Sequence, residues 1–237
     1  MAQESAAPAQ DLELLVSVAE QLKVPLTTIA RQAELGQLTA QPGLVDLNVL
    51  RTQADAALKL VDSYLLGLEL ARNQTQLELE PVSISSLLVD AAHDLSRFAK
   101  AYDVELELRL QGRYGPVMSN PRGLKAVLLS LGFVLIEVQA SAPKRRLALA
   151  MHRTPHGIVA GLYGMQETMS AAEWRTALKL CGQAPQAASG IAAGSGAGLF
   201  VADAILRSMS TQLRVGRYER LTGLAATMQP SHQLQFV

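Results

Sequence analysis

The chain has 237 residues, of which 49% are hydrophobic and 18% charged, so it has the makings of a folded protein with one large core or two small ones. Its 21 Lys and Arg balance its 21 Asp and Glu, and aromatic residues make up only 4%. That balance excludes the basic footprint of nucleic-acid or anionic-membrane binding, and the aromatic count excludes platforms for base stacking.

Residues 1–10, MAQESAAPAQ, read as a disordered tail, with no basic segment followed by the apolar run of a secretory signal. No stretch of about 18 consecutive apolar residues occurs, so no membrane partner is expected. Cys181 is the only cysteine, which rules out an internal disulfide and fits a reducing compartment. The expected location is the cytoplasm.

Leu12, Leu15, Ala19, Leu22, Leu26, Ile29 and Ala33 recur in steps of three and four, the seam of a helix that needs a partner. Gly36 and Gln41-Pro42-Gly43 mark a loop. A second seam follows at Leu47, Leu50, Ala54, Ala57, Val61, Leu65 and Leu68. The two form an antiparallel hairpin over residues 11–72, and pairing two hairpins into a four-helix bundle buries both seams, so a homodimer is expected. The alternative is a hairpin packed on its own C-terminal domain.

Residues 73–81, polar and ending in Pro81, read as a linker, and 82–237 as a second domain. A helical stripe from Ile84 to Tyr102 precedes alternating Val104, Leu106, Leu108 and Leu110, the pattern of a half-buried strand. Asn120-Pro121 opens a helix through Val138. Strands are expected at Leu147–His152 and Gly157–Tyr163, then a short helix at Ala171–Leu180. A small-residue loop at Ala187–Gly198 leads into a helix from Leu199 to about Met209, and strands near Leu213–Gly216, Leu224–Met228 and Leu234–Val237 close the domain. The fold class is therefore α+β: a helical hairpin, then an α/β sandwich whose mixed sheet has helices on one face.

Three motifs in order carry a resemblance. Ala19-Glu-Gln-Leu-Lys-Val-Pro-Leu-Thr-Thr-Ile29 resembles the H-box of sensor histidine kinases, S-H-E-L-[KR]-T-P-L-T-x-I, agreeing at Leu22, Lys23, Pro25, Leu26 and Thr27. A proline inside a helical seam costs about 3 kcal/mol, so it is not a neutral choice. Ser119-Asn-Pro-x-x-Leu124-x-x-Val127-Leu128 resembles the approach to the family's N-box, and Gly194-Ser-Gly196-Ala-Gly198-Leu199 resembles its G-x-G-x-G loop. The resemblance runs from about residue 12 onward and implies an HATPase-like (Bergerat) second domain.

The departures fall on the reacting groups. The family's phosphoacceptor histidine is Glu20 here, which cannot form a stable phosphoramidate, and its assisting acid is Gln21, an amide that cannot take a proton. The residue that positions water for dephosphorylation is Val24. The Mg²⁺-binding asparagine aligns with Val134, which offers no oxygen, and the adenine-binding aspartate of D-x-G-x-G with Leu162 in Leu162-Tyr-Gly164-Met-Gln166. Gly194, Gly196 and Gly198 remain as a relict nucleotide loop, with close helix–sheet packing as the structural reading.

No substitute chemistry stands out. His93 shares a helix face with Ser86, Asp90, Arg97 and Lys100, a solvated surface, and His152 and His156 are too few for a metal site. Lys144-Arg145-Arg146 reads as a solvated basic turn, Trp174 as core and Cys181 as a structural thiol.

The expectation is a noncatalytic, dimeric, histidine-kinase-like protein of two-component-type signalling, without cofactor or metal. It binds a response-regulator receiver domain or a kinase through Glu20, Gln21, Lys23, Val24, Thr27 and Arg31. The rivals are an ATPase or kinase with an altered ATP and Mg²⁺ pocket, and a phosphotransfer adaptor.

Overall fold

The computed structural model describes residues 22, 25–34, 47–73, 76–112, 114–165 and 195–231. Residues 25–34 are helical and are called α1. They are followed by α2 (Leu47–Asn73), β1 (Glu80–Val82), α3 (Ile84–Ala101), β2 (Glu105–Leu110), β3 (Val117–Ser119) and α4 (Pro121–Ala140). The antiparallel pair β4 (Arg146–Thr154) and β5 (Gly157–Met165) precedes α5 (Ser195–Ser208), β6 (Arg214–Tyr218) and β7 (Leu221–Met228). The expected helix at 171–180 and last strand at 234–237 lie outside the described residues, as do Trp174 and Cys181.

Five strands form one mixed sheet in the order β2-β4-β5-β7-β6, with β2 parallel to β4 and the other pairs antiparallel. Alternation sets its two faces: Leu149, Met151, Ile158, Leu162, Leu224 and Met228 join the core under the helices. Two short strands, β1 and β3, pair antiparallel beside it. Nothing in the composition of Glu80-Pro81-Val82 announces a strand; three residues are too few for a period. The β4–β5 hairpin turns through Pro155 and His156 into Gly157, at φ +137°. That backbone conformation favours glycine, and an added Cβ would also strike the Met228 carbonyl.

Local chemistry sets the helix starts. The Ser83 Oγ accepts from the Ser86 N–H at the start of α3, and the Asn120 Oδ1 accepts from the Gly123 N–H at 2.8 Å in α4, with Pro121 in the first turn. Asn120 Nδ2 also donates to the Glu78 carbonyl at 3.0 Å, tying this start to the segment after α2. By length and hydropathy α4 would pass for a membrane span, yet 78% of its apolar window is buried as the central helix of the core.

The packing of α2 departs from the expected seam. Its buried positions are Gln53, Ala56, Leu60, Ser63, Tyr64, Gly67 and Leu70, also in steps of three and four, and they face α4 and α5. One apolar cluster thus runs from α2 through α3, α4 and α5 to the sheet. Of the expected seam, Leu50, Ala54, Ala57 and Val61 are only partly buried, while Leu47 and Leu65 are 73% and 61% exposed. A leucine- and alanine-rich helix offers two adjacent registers at this spacing, and Gly67 selects one. A Cβ there would lie 2.9 Å from Val201 Cγ1, so only glycine lets α2 and α5 cross so closely. Packing on the same chain's C-terminal unit, the alternative reading, is what one face of α2 does.

The basic triplet is also resolved. Arg145 pairs with Asp103 at 2.8 Å, and Arg146 with Glu105 at 2.9 Å and Glu107 at 2.8 Å, so two of its three charges are matched by β2 and the turn before it. Arg109 on the β2 edge reaches Glu219 in the β6–β7 turn at 2.5 Å, which draws opposite edges of a curled sheet together.

The register of α2 is testable by denaturant unfolding. Leu60→Ala is expected to cost about 2–5 kcal/mol and Gly67→Leu about 1–3 kcal/mol. Leu58→Ala, on the exposed face, is expected to stay within about 0.5 kcal/mol of the parent in dilute solution.

Candidate functional site

The positions that the sequence singles out for nucleotide chemistry converge on the middle of α4, the end of β5 and the start of α5. Val134 on α4 and Leu162 on β5 are both fully buried and belong to one apolar cluster with Leu131, Leu135 and Leu224. Neither offers a side-chain donor or acceptor.

Gly164, the surviving glycine of that strand motif, is buried under the side chain of Gln139 from the last turn of α4. An added Cβ would fall on Gln139 Nε2, so the amide occupies the space beside the strand. Gln139 is a residue that sequence reasoning missed. The available signal was a pair of polar residues, Glu137 and Gln139, in the otherwise apolar run Leu135-Ile-Glu-Val-Gln-Ala140.

The glycine segment differs from its expected loop form. The helix α5 begins at Ser195, so Gly196 and Gly198 lie in its first turn, and Gly194 lies outside the described residues. Gly198 is buried, and behind it Leu199, Val201, Ala202, Ile205 and Leu206 are buried in the core that α5 shares with α4 and α2.

On α1, Thr27 and Arg31 are exposed one turn apart, Pro25 is buried and Leu26 is 54% exposed. Glu20, Gln21, Lys23 and Val24 lie outside the described residues. His93 is exposed on α3 along with Arg97, as the helical spacing implied. His152 lies on the sheet face away from the helices, 5.7 Å from the ring of Tyr218 and 6.5 Å from that of Tyr163, and burial pushes its pKa down. Among the described residues no group of three His, Cys, Asp or Glu is placed to hold a metal.

No protein-family model matches the chain, and no curated protein matches it. Solved structures do. The full-length histidine kinase ShkA in complex with AMPPNP matches at TM-score 0.54 and 17% identity, covering 96% of this chain and 47% of its own. The fold is histidine-kinase-like. A bacterial phosphotransferase matches at TM-score 0.51 and 14% identity, covering 94% of this chain and 98% of that one. The histidine kinase AdeS of Acinetobacter baumannii matches at 16% identity and TM-score 0.48, covering 88% of this chain and 96% of its own. At such identities the likeness carries the fold and nothing about activity, and this chain spans about half the length of ShkA.

Within that histidine-kinase-like fold, the groups present do not fit a magnesium–nucleotide complex at the positions the resemblance assigns. Mg²⁺ takes oxygen ligands in octahedral geometry, and Val134 has none. An adenine amino group needs an acceptor, and Leu162 has none.

One ionisable group stands inside the same helix. Glu137 on α4 is partly buried, with its Oε1 enclosed and unpaired, and burial pushes its carboxyl up to about 7. Tyr64 of α2 and Tyr102 of α3 are themselves pushed up, by burial first and then by the Glu137 charge. Because the folded carboxyl binds its proton more tightly than the unfolded one, Glu137 weakens the fold as pH rises from about 4.5 to about 7, levelling off above that at about 3 kcal/mol. Glu137→Gln is expected to match the parent near pH 4.5 and to exceed it in stability at pH 8, read from urea midpoints at both pH values.

Proposed function

We propose that this chain is a noncatalytic, histidine-kinase-like protein that acts by binding a partner in two-component-type signalling, as a homodimer and in the cytoplasm. The observation that carries the reading is the burial of Val134 and Leu162 in one apolar cluster, where a nucleotide site needs a magnesium ligand and a hydrogen-bond acceptor. Glu20 and Gln21, in place of a nucleophilic imidazole and its base, support it from the hairpin.

The partner is a response-regulator receiver domain or a kinase, docking at Glu20, Gln21, Lys23, Val24, Thr27 and Arg31. The exposure of Thr27 and Arg31 supports this face. The exposed face of the hairpin supports the dimer: Leu26, Leu47, Leu58 and Leu65 are 54%, 73%, 64% and 61% exposed. Burying such side chains against a second copy contributes about 1.5–3 kcal/mol each.

Isothermal titration with ATP and Mg²⁺ tests the noncatalytic reading, with no binding expected; micromolar binding would favour an altered ATPase or kinase. Incubation with a phosphorylated receiver domain tests the adaptor reading, and no label on the hairpin is expected. Light scattering is expected to give a dimer for the parent and a folded monomer for Leu58→Glu combined with Leu65→Glu. Arg31→Glu is expected to weaken partner binding by about tenfold, about 1.4 kcal/mol, measured by titration against the co-purifying partner.

A further inference from the structure

The two edges of the five-stranded sheet carry their charge differently. On β2, Glu105 and Glu107 are matched by Arg146, and Arg109 by Glu107 and Glu219. On β6 and its turn, Arg214, Arg217 and Arg220 are all exposed, and none has a carboxylate within ion-pair distance among the described residues. The one carboxylate in that segment, Glu219, is held by Arg109 at 2.5 Å. Three unmatched cations therefore stand together, on a chain whose formal net charge is zero.

The backbone beside these arginines is open as well. β6 is an edge strand, paired on one side with β7. Only Glu219 and Arg220 join the two strands, with Glu219 at φ +53°, so Tyr218 and Leu221 face each other across a two-residue hairpin. Inward and outward backbone groups alternate from that pair. Tyr218, Gly216 and Arg214 address β7, while the N–H and C=O of Val215 and Arg217 point away from the sheet. Among the described residues no backbone group takes them. The turn is tied to the opposite edge through Arg109, Gln111 and Glu219, which leaves Arg214 to Arg217 as the open stretch. Side chains alternate along it: Val215 packs against the core on the helix side, so Arg217 shares that face and Arg214 lies on the other.

We propose that β6 is a docking edge for an extended acidic segment of a partner protein, added to the sheet as a sixth strand with carboxylates opposite Arg214 and Arg217. The outward groups of Val215 and Arg217 supply main-chain hydrogen bonds, and the guanidinium groups supply the selection. Residues facing Arg214 and Arg217 lie three apart in the incoming strand and on opposite faces, so the pattern recognised is Glu-x-x-Glu in extended form. An apolar strand has no carboxylates to match these guanidinium groups, and charge on an edge disfavours such pairing. A second copy of β6 would set three arginines against three, so like charge opposes self-pairing too. The charge therefore selects an acidic partner. This edge is separate from α1 and does not depend on how that helix is used.

The test uses the full chain and the acetylated, amidated peptide Ser-Glu-Val-Thr-Glu-Val-Ser, followed by amide shifts in NMR spectra. One peptide per chain is expected to bind, moving the Val215 and Arg217 amides most, with affinity falling as salt is added. A peptide of the same composition with its glutamates adjacent is expected to bind about tenfold more weakly, and so is the parent peptide to Arg214→Glu combined with Arg217→Glu. Val215→Pro removes an outward N–H while keeping every charge, and is also expected to weaken binding by about tenfold. Thermal melts check that the variants fold. Should Val215→Pro fail to fold, a peptide N-methylated at alternate amides, which cannot donate to the edge, decides in its place. No saturable binding at millimolar peptide, equal affinity for the rearranged peptide, or parent-like affinity in the double arginine variant overturns the proposal. Undiminished binding with Val215→Pro or the N-methylated peptide does the same, because it leaves charge attraction without strand addition.

Discussion

The architecture turns on the face that α2 presents to α4 and α5. Leu60 and Tyr64 enter the same apolar cluster as the sheet, and Gly67 admits Val201 at a distance no side chain at that position would allow. Fully burying a side chain of leucine size contributes about 1.5–3 kcal/mol, so several together outweigh the ion pairs that accompany them. Among those pairs the Lys59–Asp94–Lys125 arrangement is distinctive, because one carboxylate links α2, α3 and α4. The hairpin helix is therefore packed into the domain that follows it.

That packing has a consequence for chemistry. Val134 and Leu162, the positions to which the resemblance assigns magnesium and adenine binding, are core positions among the described residues. Val134 and Leu162 join the floor of helices and sheet, Gln139 lies over Gly164, and Gly196 and Gly198 begin a packed helix. Glu137 is the exception: a carboxyl enclosed without a hydrogen-bond partner, held near neutrality by its burial. A buried ionisable group of this kind couples packing to pH without any catalytic step.

Surface features fit the same division. The exposed leucines of α2 leave one of its faces open while the other is taken up internally. The basic turn at 144–146 is largely balanced by Asp103, Glu105 and Glu107, so its local charge is less available than the run of letters implies.

By itself the sequence determined the fold class, the longer helices and strands among the described residues, and the capped start of α4, because hydrophobic period and cap chemistry are local properties. It also carries Glu20, Gln21 and Val134 where the resemblance places a histidine, an acid and an asparagine, and those side chains cannot supply the same chemistry. Tertiary structure decided which of two adjacent stripes on α2 is buried, since spacing alone allows both and only the Gly67–Val201 crossing distinguishes them. It likewise decided the pairing of three-residue strands, the helical state of Gly196 and Gly198, and the seat of Gln139 over Gly164. Those depend on contacts between residues far apart in the chain, which no local pattern records.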